Sequence, residues 1–181
     1  MSADLPVEPS TKIRRIVESD RDALRALRLR SLTTDPMSFA STLEKESVDD
    51  DAKWTNWARR GALSPEMAVL VAELDNGALI GMVGAFWDGR VTHLYGMWVY
   101  PGHRRRGLGG KLLDEILAWG ETSHPTSEIH LGVVPLSDSA VRLYRSRGFM
   151  PTGKVEPLPH TPRVVWQEMV RPRKGVDPTI V

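Results

Sequence analysis

The run Val99-Tyr100-Pro101-Gly102-His103-Arg104-Arg105-Arg106-Gly107-Leu108-Gly109-Gly110-Lys111-Leu112-Leu113 constrains this chain more than any other segment. A β-prone stretch stops at Pro101, and from Leu108 the apolar residues Leu112, Leu113, Ile116 and Leu117 recur at helical spacing. A strand must therefore pass into a helix through a glycine-rich, basic turn, which requires a mixed α/β domain. The same layout makes an anion site. The first N–H groups of a helix have no carbonyl partner and point outward with the positive end of the dipole, and glycines let a phosphate approach the backbone. A pyrophosphate is the natural guest, held mainly by the N–H groups of residues 104–110, so single changes among the three arginines should cost little. A solvated basic turn, or a small nucleic-acid patch, would have no need of the adjoining glycines.

Two common phosphate loops fail on the letters. Leu112 stands where a dinucleotide fingerprint starting at Gly107 needs glycine, and again where a P-loop ending Gly110-Lys111 needs serine or threonine. Composition removes other classes. The 24 basic and 23 acidic side chains nearly cancel, leaving no global field to draw in nucleic acid or an anionic membrane. The absence of cysteine excludes a disulfide framework, a cysteine zinc site and thiol nucleophilic catalysis. The first twenty residues hold Asp4, Glu8, Lys12, Arg14 and Arg15 and no apolar run, so they resemble neither a signal peptide nor a membrane span, and a cytoplasmic protein is expected. Residues 1–10 and 172–181 read as tails around one domain at 11–171.

Along the chain, residues 13–17 predict a strand, and Ser19 or Asp20 a cap for a helix whose apolar side is Leu24, Leu27 and Leu32. Asp35-Pro36 breaks the pattern, and a polar stretch leads into a second helix bearing Trp54, Trp57 and Ala58. Residues 68–73 and 78–87 predict strands joined through Asp75-Asn76-Gly77, and Asp88-Gly89 turns into a third strand at 91–100, all three antiparallel in order. After the helix from Leu108, with Gly120 and Pro125 near its stop, come a strand at 129–134, a helix from Ser137 or Asp138 to Gly148, and a last strand at 164–170.

Arg104-x-x-Gly107-x-Gly109 resembles the Gln/Arg-x-x-Gly-x-Gly/Ala pattern of the GCN5-related N-acetyltransferases, the GNAT superfamily. About forty residues on, Ser137-x-x-Ala140-x-x-Leu143-Tyr144-x-x-x-Gly148-Phe149 resembles their second signature, Asn-x-x-Ala-x-x-Leu-Tyr-x-x-x-Gly-Phe, with Ser137 in place of asparagine. The resemblance implies the GNAT fold: a mostly antiparallel central sheet, splayed at the cofactor site and flanked by helices. It implies acetyl-CoA as cofactor, with no metal, and direct transfer of acetyl to a primary amine in a ternary complex. Met97, Trp98 and Val99 would pair with the pantetheine arm, although their side chains also read as core. Arg104, Arg105, Arg106, Gly107, Leu108, Gly109 and Gly110 would hold the pyrophosphate, with Ser137, Ala140 and Tyr144 alongside. The resemblance makes the Tyr144 hydroxyl the acid that protonates the departing thiolate. His93 occupies the position where many members place the basic glutamate, and it reads equally as a base or as a histidine with a structural hydrogen bond.

For the acceptor, Phe39 lies where the family's variable substrate loops occur, Tyr95 shares the strand face of His93, and Glu44, Glu46 and Glu73 are carboxylates that could hold an amine. The tryptophans Trp54, Trp57 and Trp87 are expected in the core. A small-molecule amine is the expected acceptor. A protein lysine or N-terminus, or a non-catalytic acetyl-CoA sensor, are the alternatives. Homodimers are common in the family, but nothing in the sequence signals one.

Overall fold

The computed structural model describes residues 10–173. Apart from Ser10, Pro172 and Arg173, the two expected tails lie outside the described residues. Strands β1 (Thr11–Arg15), β2 (Met67–Leu74), β3 (Leu79–Trp87), β4 (Thr92–Val99), β5 (Ile129–Val133), β6 (Met150–Leu158) and β7 (Thr161–Arg171) form one sheet in the order β1-β2-β3-β4-β5-β7-β6. Every neighbouring pair is antiparallel except β4 and β5, which run parallel. A parallel pair needs a long crossover. Here it is supplied by α4 (Leu108–Ser123), the helix that follows the glycine-rich turn. The other helices are α1 (Arg21–Thr34), α2 (Leu43–Ser47), α3 (Asp51–Leu63) and α5 (Asp138–Arg145). The mixed, mostly antiparallel α/β sheet expected from the sequence is the one observed.

Each face of the sheet has its own core. Leu112, Leu113 and Ile116 of α4 pack with Leu94, Leu131 and Met169 on one face, which Tyr144 and Phe149 complete. Leu24, Leu27 and Leu32 of α1 and Ala58 of α3 pack with Val69, Met82 and Trp98 on the other. Each fully buried leucine contributes roughly 2 kcal/mol. Covering on both sides explains why β2 is buried continuously from Met67 to Ala72 instead of alternating. Among the described residues no helix is long and apolar enough to cross a membrane.

Three local expectations change. Asp20 sits at the start of α1, yet its carboxylate accepts from Arg14 and from the Val17 N–H at 2.9 Å instead of capping the helix. Gly120 lies in the last turn of α4, near its stop as expected, where a Cβ would stand 3.3 Å from Ile129 of β5. The polar stretch before α3 contains the short helix α2, opened by Thr42 Oγ1 accepting the Lys45 N–H at 3.2 Å. Strand β6 was not foreseen: its residues are exposed up to Pro157, it holds Pro151, Pro157 and a left-handed Gly153, and only an edge strand tolerates that composition. The tryptophans also divide, since Trp54 is 3% exposed whereas Trp57 and Trp87 are only half-buried.

Candidate active site

The site begins where β4 and β5 part. Their ladder has three pairs, Thr92↔Ile129, His93↔His130 and Leu94↔Leu131, and goes no further. At that level β4 carries a bulge. Met82 pairs with Trp98 and Gly84 with Tyr95, so Gly96 and Met97 face the single residue Val83, and Gly96 takes φ +64°. The extra residue resets the alternation: Leu94, Met97 and Val99 face α4, whereas Tyr95 and Trp98 face α1 and α3. Past Leu94 the edge of β4 that faces β5 has no strand partner among the described residues. A cleft of about 330 Å³ opens there, between the β4 edge, β5, the turn and the first part of α5.

The turn closes one end of the cleft. Arg105 (φ +65°) and Gly107 (φ +78°) both adopt the left-handed conformation, and Gly107 is the N-cap of α4 without a side-chain cap. The first helical bond runs from the Lys111 N–H to the Gly107 carbonyl at 3.0 Å, so the N–H groups of Leu108, Gly109 and Gly110 are left without helical acceptors. Consecutive unpaired N–H groups at a helix start, next to left-handed residues, make a concavity for an anion. Arg104 does not point into it. Its Nε donates to the Val99 carbonyl at 2.8 Å and its other nitrogen to the Asp35 carboxylate, which also accepts from Trp98 Nε1 at 2.6 Å. Arg104 thus fastens the turn to the end of α1. Gly109 faces α5 and β4: a Cβ there would lie in ordinary contact with Leu143 at 3.5 Å and Met97 at 3.7 Å.

On the far wall, Ser137, Ala140 and Tyr144 of the α5 segment line the cleft. Ser137 begins the helix without spending its hydroxyl on a cap. Tyr144 is 6% exposed, and its ring meets Phe149 edge-on at 5.8 Å. Burial raises the pKa of its hydroxyl well above the ordinary phenol value, so the group keeps its proton at neutral pH.

The opposite face of β4 carries Tyr95. A Cβ on Gly84 would fall 2.3 Å from the Tyr95 ring, so this glycine allows the ring to lie across β3 toward α3. There Trp57 Nε1 donates to Tyr95 Oη at 2.9 Å. Burial, partly offset by that bond, pushes the phenol up to about 12. His93 stacks on Phe86 at 4.9 Å, and its Nε2 is 2.8 Å from Asp88. The Asp88 carboxyl is held well below its usual range by the Val91 N–H, His93 and the Arg90 N–H.

The sequence comparisons bear on this geometry directly. Residues 26–149, more than half of the chain, match the Acetyltransferase (GNAT) family. The chain belongs to the GNAT acetyltransferase family. No curated protein sequence matches it. Solved structures share the fold. A GNAT-family acetyltransferase from Streptococcus pneumoniae superposes with a TM-score of 0.76 at 23% identity, covering 89% of this chain and 98% of that one. A putative acetyltransferase, yncA, from Salmonella typhimurium with its cofactor acetyl-CoA gives 0.74 at 19%, covering 95% and 99%. A spermidine N-acetyltransferase from Vibrio cholerae in complex with CoA and spermine gives 0.69 at 18%, covering 88% and 94%. This GNAT protein is thus an acetyl-CoA-dependent acetyltransferase, and its residues fit that cofactor: unpartnered N–H groups for a pyrophosphate and an unpaired strand edge for a linear amide arm.

Of the residues singled out in the GNAT sequence, Met97, Trp98, Val99, Arg104, Arg105, Leu108, Gly109, Ser137, Ala140, Tyr144, Tyr95 and Phe39 all line the cleft. Arg106, Gly107 and Gly110 belong to the turn without lining it. His93 does not line it and is engaged with Asp88. Glu44 is exposed on α2 and does not line the cleft, while Glu46 is turned inward against Arg28. Glu73 pairs with Arg14 and Lys12 on β2. Asp35 and Ser38, which share with Phe39 the stretch expected to form a substrate loop, also line the cleft, as do His103 and Gly132 of β5, to which the sequence assigned no role. Asp35 stood in view as a helix breaker. Nothing local marked it as the partner of Arg104.

Proposed function

We propose that this enzyme transfers the acetyl group of acetyl-CoA to the primary amine of a small molecule while both are bound. The observation that supports this best is the parting of β4 from β5 beside Tyr95, because one cleft then borders both the anion-binding turn and a separate cavity on the α1–α3 face. Acetyl-CoA supplies an activated thioester. The N–H groups of Leu108, Gly109 and Gly110 hold its pyrophosphate, and the free edge of β4 at Met97 to Val99 aligns its arm and offers an N–H to the thioester oxygen, where charge develops. With no cysteine in the chain to carry the acetyl group, the amine attacks directly. The new N–C bond forms as the C–S bond breaks; the buried, protonated Tyr144 gives its proton to the leaving sulfur and is restored by the proton the acetylated nitrogen loses.

The ammonium must first lose a proton. A carboxylate only accepts, so Asp88 takes the Nε2–H of His93 and leaves Nδ1 of the neutral ring as a lone-pair acceptor. Because His93 stands outside the cleft, it acts through a water chain along the Tyr95 face. Release of free thiol from acetyl-CoA with a panel of small primary amines and of peptides tests the reading. Turnover with small amines is expected. Turnover confined to peptides moves the acceptor to a protein, and tight acetyl-CoA binding without turnover makes the protein a sensor.

A further inference from the structure

Beside the cleft lies a second cavity of about 300 Å³, between α1, α2, α3 and the strand face that carries Tyr95. Tyr95 lines both spaces, so the cavity adjoins the point where the strands part. Its size is at the lower end of small-ligand pockets, which begin at about 300 Å³. One side is apolar or aromatic: Trp54 and Met67 are 3% and 7% exposed, and Trp57 is bonded to Tyr95. Trp54 Nε1 is buried there without an acceptor.

The other side is charged, and the charges can be matched one by one. Arg28 forms a two-pronged bond with Glu46 at 2.9 and 2.7 Å, and Lys53 pairs with Asp49 at 2.5 Å. Those four cancel. Arg60, an exposed residue lining the cavity, is the remaining cation, and among the described residues its guanidinium has no ion-pair or hydrogen-bond partner. Arg28 and Arg60 both favour the ionised form of the Tyr95 phenol, though burial outweighs them, so the charge of Arg60 is felt at Tyr95. A guanidinium with no partner, next to an aromatic wall, matches the planar two-oxygen edge of a carboxylate.

We propose that this cavity is the acceptor pocket and that it selects an amine bearing a carboxylate, an amino-acid-like molecule whose carboxylate is held by Arg60 and whose hydrocarbon part lies against Trp54 and Trp57. This rests on the reading that the acceptor is a small amine. The amine end points past Tyr95 to the parted strands, and the anionic end stays with α3.

The test compares kcat/KM for the common α-amino acids with that for the amines left when their carboxylates are removed. The natural enzyme should prefer the acids, and Arg60→Ala should cut the preference by about 10- to 100-fold, the range for one hydrogen-bonded charge. The KM for acetyl-CoA serves as the control readout, and Arg59→Ala, next on the helix but outside the cavity, should keep the preference. Equal use of acids and amines by the natural enzyme, or a preference that survives Arg60→Ala, overturns the proposal. If no member of the panel is acetylated, the small-amine reading itself is in difficulty, and the pocket is judged by calorimetric titration of the same amino acids into CoA-bound protein. Binding that weakens in Arg60→Ala supports the carboxylate site; absent or unaltered binding overturns it.

Discussion

The two halves of the site are built from different materials. On the α4 side the groups proposed to hold the cofactor are main-chain N–H groups, exposed by a bulge at Gly96, a left-handed Gly107 and a strand pair that ends at Leu94. On the α1–α3 side they are side chains brought together from separate elements: Tyr95 over Gly84, Trp57 and Arg60 of α3, and Arg28 with Glu46. A backbone site survives most side-chain changes and fails when the backbone cannot take its shape. A side-chain site behaves the opposite way, so one fold can keep its donor and change its acceptor.

The harshest way to break this contrast is Gly107→Asp. It places a Cβ on a left-handed residue and a negative charge at the start of α4, where an anion is to bind. Calorimetry should detect no acetyl-CoA binding, and retained affinity would remove the turn from the cofactor site. Next comes Tyr144→Phe, which keeps the packing against Phe149 and loses the proton. Turnover should fall by about 100-fold, the scale of one general acid, with acetyl-CoA affinity within about twofold. Unaltered turnover would assign the acid to another group.

Gly84→Ala probes the other half. The new methyl displaces the Tyr95 ring and breaks its bond to Trp57. The KM for the amine should rise about tenfold, as misplacing a positioning group does, while acetyl-CoA binding stays as it was. Equal damage to both substrates would erase the distinction between the halves. Asp35→Asn sharpens it at the joint, because Asp35 is held by both Arg104 of the turn and Trp98 of the acceptor face. Both KM values should rise together, by about fivefold, the value of a partly exposed charge pair.

The smallest effect is on stability. Burial of Glu46 opposes its ionisation, but the Arg28 fork, helped by Ser41 and Lys53, outweighs it and holds the carboxyl below its ordinary value of 4.5. A depressed carboxyl stabilises the folded state above the unfolded pKa and loses that contribution as pH falls through the folded one. Glu46→Gln should therefore cost about 1 kcal/mol at pH 7 by urea unfolding, with the gap to the natural protein closing below about pH 4. A gap independent of pH would mean that packing, not charge, is lost.

Much of the fold was legible in the sequence. The Asp75-Asn76-Gly77 hairpin, the strand-to-helix crossover and the left-handed stop at Gly148 are each set by residues within a few positions of one another. Strand β6 was not legible, because an exposed edge with two prolines carries neither alternation nor a buried run. For the cofactor half, the glycine pattern located the turn correctly and, through Leu143 and Tyr144, the helix opposite. It did not reveal that Arg104, which lines the cleft, gives its side chain to Asp35. His93 was found as a candidate, but its engagement with Asp88 and its place outside the cleft were not.

By itself, then, the sequence determined the donor half: glycine conformations and a helix start are local properties, and local properties can be read from neighbouring letters. Only the tertiary structure supplies the α1–α3 cavity proposed for the acceptor. The contacts on that face join residues 38 positions apart at Trp57–Tyr95 and 63 apart at Asp35–Trp98, and the lone charge of Arg60 emerges only after Arg28 and Lys53 have found their carboxylates. Those partnerships depend on how helices dock on a sheet, and no short pattern of residues records that.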